Sequence, residues 1–474
     1  MIEKGFWITT SLFFGLLLSQ GSWAMAAAIL GLLLYVVLLI GGLQPMAVLL
    51  LMGPATFFVF LNSYLNAIPI ITMERLIFAS MLGLILLKDC FNKKSRIKLA
   101  PIEVLMICFL FYTLLSLLST FNDKPLSVWI KMNLSLYLQG YFMPMVCFMI
   151  ARRLIWDQKS IGILFKILIV AGTFLGITSI LQIYFGVTAF IPDYMDLGIN
   201  GRGRARGTFT NTSEYGLVMS AFILIGGLVY ARTKNLTPKM LLLGCLALML
   251  VGLFLCKTRA PWLGAIVSLA FVTYHDKRIQ PLMLTMAGIG ILASTAILPF
   301  MIDFNSIISR ITDVVPILNR LSVWGAGLNM MIQNPVFGIG LGRGSFGGLI
   351  HEYAFNFGPV SSQWAVGISV SHNEFLFIAA HTGILGIIIY LSIFWHILQM
   401  LRKTYKNPSS SQFEKDLALY MGGIFICFII NGLLVDIGIF NYFFTLMYFL
   451  FGIVAASSLK YQAREHAREP VLVS

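Results

Sequence analysis

Apolar runs of about 20 residues, the length a helix needs to cross the hydrocarbon core of a bilayer, recur along nearly all of this sequence. They come as long blocks rather than as short amphipathic stripes. Candidate spans cover 6–20, 23–41, 45–62, 71–88, 102–119, 134–151, 161–185, 214–231, 238–256, 260–274, 281–300, 373–398, 417–435 and 438–458. The pattern predicts an all-α, polytopic integral membrane protein of about 12–14 transmembrane helices. The first run is short for a span, and Ala24-Met25-Ala26-Ala27 offers the small residues of a signal-peptide cleavage site. A second apolar run follows at once, so a retained helix is the expectation.

Composition excludes a water-soluble fold. Of 474 residues, 58% are hydrophobic and 11% charged, against roughly 25% charged in soluble domains. Mean hydropathy is +0.88. The net charge of +14 does not point to nucleic acid, because most Lys and Arg stand in short connectors, where they set topology and meet lipid headgroups. The six cysteines lie in or beside apolar runs without the spacing of a zinc site or a disulfide framework, and read as packing residues.

The cationic connectors orient the chain. Lys88 to Lys98, Arg152 to Lys159, Arg232 to Lys239, Lys277-Arg278, Arg402 to Lys406 and Lys460 to Arg468 all fall on one side when the spans are counted. By the positive-inside rule that side is cytoplasmic, with both termini there. The expected organisation is N-terminal helices over 1–185, an Arg-rich outer loop at 186–213, helices over 214–300, a long outer loop at 301–372, C-terminal helices over 373–459 and a tail at 460–474. Loops as long as the two outer ones are uncommon unless functional. They also break the charge rule, carrying Arg202, Arg204 and Arg206 in one and Arg310, Arg320 and Arg343 in the other.

Four outer segments could carry chemistry. Gly201-Arg202-Gly203-Arg204-Ala205-Arg206-Gly207 places several guanidiniums on a pliant backbone, and their forks of donors suit phosphate oxygens, although anionic headgroups would also satisfy them. Lys257-Thr258-Arg259-Ala260-Pro261-Trp262 is a short hinge. Pro261 suits a first helical turn, so Arg259 is expected at a helix N-terminus, where dipole and guanidinium reinforce each other toward an anion. Trp262 can serve as an interfacial anchor. In Asn319 to Met331, Leu321, Trp324, Leu328 and Met331 share one face, which fits a helix lying on the membrane surface with Arg320 near its start. The glycines of Gly338-Ile339-Gly340-Leu341-Gly342-Arg343 permit a tight, irregular path but do not form a nucleotide loop.

The fourth segment is Val370-Ser371-His372-Asn373-Glu374, where the long loop enters a span. A histidine suits proton transfer near neutral pH, and a bland anchoring role is the alternative. His275, His396 and His466 fall near the cytoplasmic side, His381 should face about the opposite way around a helix, and His351 is the other outer candidate. Arg206, Arg259, Arg320 and His372 thus map to one membrane face. A cationic cluster with one base suits a diphosphate-bearing lipid at the membrane surface.

These segments resemble the O-antigen ligase and polysaccharide polymerase family of bacterial membrane proteins. The resemblance rests on Arg206-Gly207-Thr208-Phe209, Thr258 to Gly264, Arg320 to Trp324, Asn334-Pro335-Val336-Phe337-Gly338-Ile339-Gly340, Ser371-His372-Asn373-Glu374-Phe375-Leu376 and Thr382-Gly383-Ile384-Leu385-Gly386. It implies a GT-C-like glycosyltransferase in the bacterial inner membrane whose site faces the periplasm. That enzyme would move a glycan from a polyprenyl-diphosphate carrier to a glycan or glycolipid acceptor, by inversion and without metal or other cofactor. His372 would match the family's base; Arg206 and Arg259 its diphosphate-holding arginines, with Arg204 beside them; and Arg320 an arginine of its loop motif. Two readings from other classes stay open. One is a transporter of lipid-linked sugars, though ionisable groups here collect in outer loops rather than at mid-span. The other is a transferase using an outer carboxylate, with Asp193, Asp196, Asp303, Asp313 and Glu352 as candidates, of which Asp193 and Asp196 could ligate a metal.

Overall fold

The structure is a computed structural model that describes residues 42–55, 72–91, 99–121, 125–186, 203–285, 288, 315–342, 345–350, 352–353 and 370–466. Every regular element among them is helical, so the chain is an all-α membrane protein. Two compact units divide it. In the first, helices α1 (Leu43–Met52) and α2 (Met73–Phe91) pack together, burying Met46, Leu50, Ile77 and Met81.

The second unit carries the remaining helices: α3 (Pro101–Leu118), α4 (Leu126–Arg153), α5 (Gln158–Tyr184), α6 (Thr212–Arg232), α7 (Leu236–Leu255), α8 (Arg259–His275), α9 (Val315–Gln333), α10 (Ser345–Leu349), α11 (Glu374–Lys406), α12 (Gln412–Gly432) and α13 (Asn441–His466). Among the described residues, α3, α4, α5, α6, α7 and α11 are long and apolar enough to cross a membrane. The expected spans at 6–20 and 23–41, and most of 281–300, lie outside the described residues. Helix α6 is central, with 83% of its apolar window buried, whereas α7 buries 33% and presents the rest outward. The more exposed α7 is also the more apolar of the two, with a mean hydropathy of 2.2 against 1.6, as a helix facing lipid rather than protein should be.

Two of the cationic connectors come together through shared carboxylates. Arg232 in the last turn of α6 bonds Asp416 of α12 at 2.8 Å, and Arg278, just past α8, reaches both Asp416 at 2.6 Å and Asp276 at 2.8 Å. Tyr420 donates to Asp276 at 3.1 Å. This clasp ties three helices at one end of the bundle, and the candidate site lies at the other.

Near the site two helices depart from α geometry. Helix α4 widens into π turns at Ile130–Leu134 and Tyr137–Phe142. There Gly140 lies so close to the carbonyl of Gly438 that a side chain would collide with it. Helix α11 has 33 residues, about 50 Å by helical rise, against a hydrocarbon core of roughly 30 Å, and it breaks at Gly383 (φ 70°, ψ −169°). The segment after α9 fills the break. Ile339 N–H donates to Ala380 O at 2.9 Å and Ile384 N–H donates to Pro335 O at 2.8 Å, replacing the helical bond between Ile384 and Ala380. Ser116 of α3 donates to both His381 O (2.8 Å) and Phe337 O (3.1 Å). Gly338 and Gly340 hold φ of 63° and 87° here, and a Cβ on Gly338 would strike the Ala380 carbonyl. The glycines thus let an irregular segment lie against α3 and α11 with its backbone paired, although Pro335, Val336 and Phe337 stay exposed.

Candidate functional site

His372 is one of two non-glycine residues in the left-handed region among the described residues, at φ 53°. Such a conformation is uncommon for a side-chain-bearing residue and persists only when its surroundings hold it. The holding group is Asp436, in the tight turn between α12 and α13. Its Oδ1 accepts the Asn373 N–H at 2.7 Å and the Ser371 hydroxyl. Ser371 and Asp436 are buried, and Asp436 Oδ2 has no hydrogen-bond partner. Asn373 then starts α11, its side chain accepting from Leu376 N–H at 3.1 Å in the usual N-cap manner. Beneath this layer the buried Glu374 accepts from Gly438 N–H at 2.6 Å and from the Tyr390 hydroxyl at 2.8 Å, fixing the Asp436 turn onto α11.

The electrostatics join the predicted residues in a row. Burial lowers the His372 proton affinity below its ordinary value of 6.5; Asp436 opposes that and Arg320 adds to it. Burial raises the Asp436 carboxyl above its ordinary range despite its bonds to Ser371 and Asn373 and the nearby imidazole. Arg320, on α9, is lowered by burial and then by the guanidinium of Arg259. Arg259 is the first residue of α8, as its Pro261 suggested, with Thr258 as N-cap. Two guanidiniums and a helix N-terminus therefore concentrate positive charge beside one imidazole, an arrangement that favours an anion. Helix α9 holds Arg320 there by burying Val323, Ala326 and Met330 against Ala380 of α11 and Phe346 of α10, while Leu321 and Leu328 stay exposed. The exposed pair fits the surface-lying helix expected from the sequence.

Arg204 and Arg206 sit beside the hinge between α7 and α8. Ala205 N–H donates to Leu255 O at 2.9 Å, and the N–H groups of Arg206 and Gly207 share the Gln182 side-chain oxygen at 3.1 and 3.3 Å. Arg206 is buried, and Arg204 is near enough to Cys256 to act on its thiol, which burial pushes up to about 11. Thr258 donates to Thr212 at 3.2 Å, tying the hinge to the start of α6. Trp262 donates to Leu253 O at 2.7 Å and stacks on Phe254.

Of the other residues singled out in the sequence, Arg202, Arg310, Arg343, His351, Asp193, Asp196, Asp303 and Asp313 lie outside the described residues, and Glu352 is exposed. His381 is buried in α11 with its Nδ1 on Phe377 O, apart from His372, which precedes the helix rather than sharing it. Among the described residues no three His, Cys, Asp or Glu side chains converge as a metal site. Sequence reasoning missed Asp436, Glu374 and Gln182. The signal for Asp436 was its place as a lone acid between two apolar runs on the outer side. Residues 244–391 match the family model described as O-antigen ligase, a stretch holding Arg259, Arg320 and His372 but not Arg204, Arg206 or Asp436. No curated protein matches the chain.

Proposed function

We propose that this chain, whose residues 244–391 carry the O-antigen ligase match, transfers a glycan from a polyprenyl-diphosphate carrier to an acceptor hydroxyl on the periplasmic face of a bacterial inner membrane. The observation that carries the reading is the row Arg259, Arg320, His372 and Asp436, which sets paired cations beside one partly buried imidazole.

In this reading His372 takes the proton from the acceptor hydroxyl as that oxygen attacks the anomeric carbon. The bond from the anomeric carbon to the carrier's phosphate oxygen breaks, and the electron pair leaves with the diphosphate. Arg259 and Arg320 stabilise the charge it gains, with Arg204 and Arg206 supplying further donors from the hinge side. Asp436 stabilises the imidazolium that forms. A single displacement with one base inverts the anomeric centre, and the cations meet the charge for which a metal would otherwise serve.

The test is reconstitution of the full chain in proteoliposomes with a polyprenyl-diphosphate glycan and candidate acceptors, with and without EDTA. Transfer by the wild type, its loss in His372→Ala and indifference to EDTA are expected. Full turnover in His372→Ala would remove the assigned base. Movement of the glycolipid across the bilayer without bond formation would favour a transporter. Ligase and polymerase uses of the site are separated by which acceptor is consumed.

A further inference from the structure

Glu214, in the first turn of α6, is buried with its carboxylate against another helix. Its Oε1 accepts the Tyr442 N–H at 3.1 Å, and the Phe443 N–H also bears on it. Both belong to the opening turn of α13, which starts at Asn441 and cannot pair its first N–H groups within the helix. A carboxylate there also meets the positive end of the α13 dipole. Burying an acid in an apolar span is costly unless such bonds offset it, and acids kept inside spans are by default functional.

Two sides of the transfer site end at this contact. On the cation side, the Phe209 N–H donates to Arg206 O at 2.9 Å, closing a turn, and the Phe209 ring packs on Tyr442 with centroids 5.6 Å apart. Thr212, which opens α6, accepts from Thr258, the N-cap of the helix that begins with Arg259. On the base side, Asp436 stands just ahead of α13: the 3-10 turn Ile437–Ile439 and the bond from Phe440 N–H to Ile437 O at 2.7 Å lead from it into that helix. We propose that Glu214 is a positioning residue of this site, capping α13 so that the turn bearing Asp436 is fixed against the segments bearing Arg206 and Arg259, an inference that rests on the transfer reading above. Neither the base nor the cations touch Glu214 in this role; it acts through the backbone of α13.

The test compares Glu214→Leu, which removes the acceptor, with Glu214→Gln, which keeps one, in the full chain in proteoliposomes. Leucine should lower kcat by about tenfold to a hundredfold, as small misplacements of reacting groups do, and glutamine by less than about threefold. Asp436 raises and Arg320 lowers the proton affinity of His372, so a turn no longer held should also move the acid limb of kcat/KM to lower pH. In an Asp436→Asn background the leucine should add no further shift. A loss of stability alone leaves the limb in place, so an unmoved limb overturns the proposal, as does a glutamine variant impaired as much as leucine. Where Glu214→Leu fails to fold, Glu214→Asp, a methylene short of the Tyr442 N–H, carries the same comparison. Hydrogen exchange is independent of transfer: peptides over 436–443 should exchange faster in Glu214→Leu than in Glu214→Gln, and equal rates overturn the cap. Faster exchange in a chain whose wild type transfers no glycan supports the cap and removes the transfer reading.

Discussion

Asp436 braces the backbone around His372: its Oδ1 takes the Asn373 N–H at 2.7 Å together with the Ser371 hydroxyl, so both neighbours of the histidine are held by one carboxylate. The residues are 64 positions apart in sequence, and the contact accounts for how His372 sustains a φ of 53°. It also sets the charge that an imidazolium would meet.

The first prediction concerns pH. A base must be unprotonated to act, so activity should rise with pH as His372 loses its proton and level off above that point. Burial and Arg320 place that point below the ordinary value of 6.5. The measurement is kcat/KM against pH in proteoliposomes, and an acid limb centred well above 6.5 contradicts the assignment.

Two substitutions should move that limb in opposite directions. Asp436 raises the proton affinity of His372, so Asp436→Asn should shift the limb to lower pH while reducing kcat by about tenfold to a hundredfold, since the imidazolium loses its counter-charge. Arg320 lowers that affinity, so Arg320→Gln should shift the limb to higher pH. Shifts of the same sign in both variants would show that neither acts through His372.

Arg259 is expected to serve the leaving diphosphate. Arg259→Gln should cost about a hundredfold in kcat, the scale of losing one oxyanion donor. Arg259→Lys should restore only part of it, because an ammonium cannot present the guanidinium's paired donors. Full rescue by lysine in a steady-state transfer assay would mean that charge alone suffices there.

Stability should respond at Gly338 and not at Gly348. Alanine at Gly338 meets the Ala380 carbonyl and must hold φ 63°, a conformation costing about 1–2 kcal/mol before any collision is counted. Gly348, in α10, has nothing within 4 Å of an added Cβ. Thermal unfolding in detergent should therefore show a lower Tm for Gly338→Ala and none of that loss for Gly348→Ala.

The sequence was most legible where local rules decide. Apolar runs located α3, α5, α6, α7 and α11, Pro261 located the start of α8, and the charge pattern put Arg232, Lys277 and Arg278 at one end, where two of them share Asp416. What it could not disclose depends on distant packing. Asp436 meets His372 only because Glu374 and the π-widened α4 fix the turn that carries it. The break in α11 was equally hidden, since Gly383 in an apolar run reads as ordinary helix until Pro335 and Ile339 supply its missing backbone partners. Arg204 and Arg206 were found by composition, but their place beside the hinge came from Gln182, a residue with no outward signal.

The break at Gly383 has a mechanical meaning. Helix α9 rests on the part of α11 above it, through Leu376 against Gly327 and Ala380 in the cluster around Val323, and His372 lies just before that same part. His372 and Arg320 therefore ride on one short platform, while the remaining length of α11, about 35 Å by helical rise, packs against α3 and α12. A tilt of that lower shaft is expected to load the joint, where Pro335 and Ile339 bond both sides of the break, before it alters the spacing between Arg320 and His372.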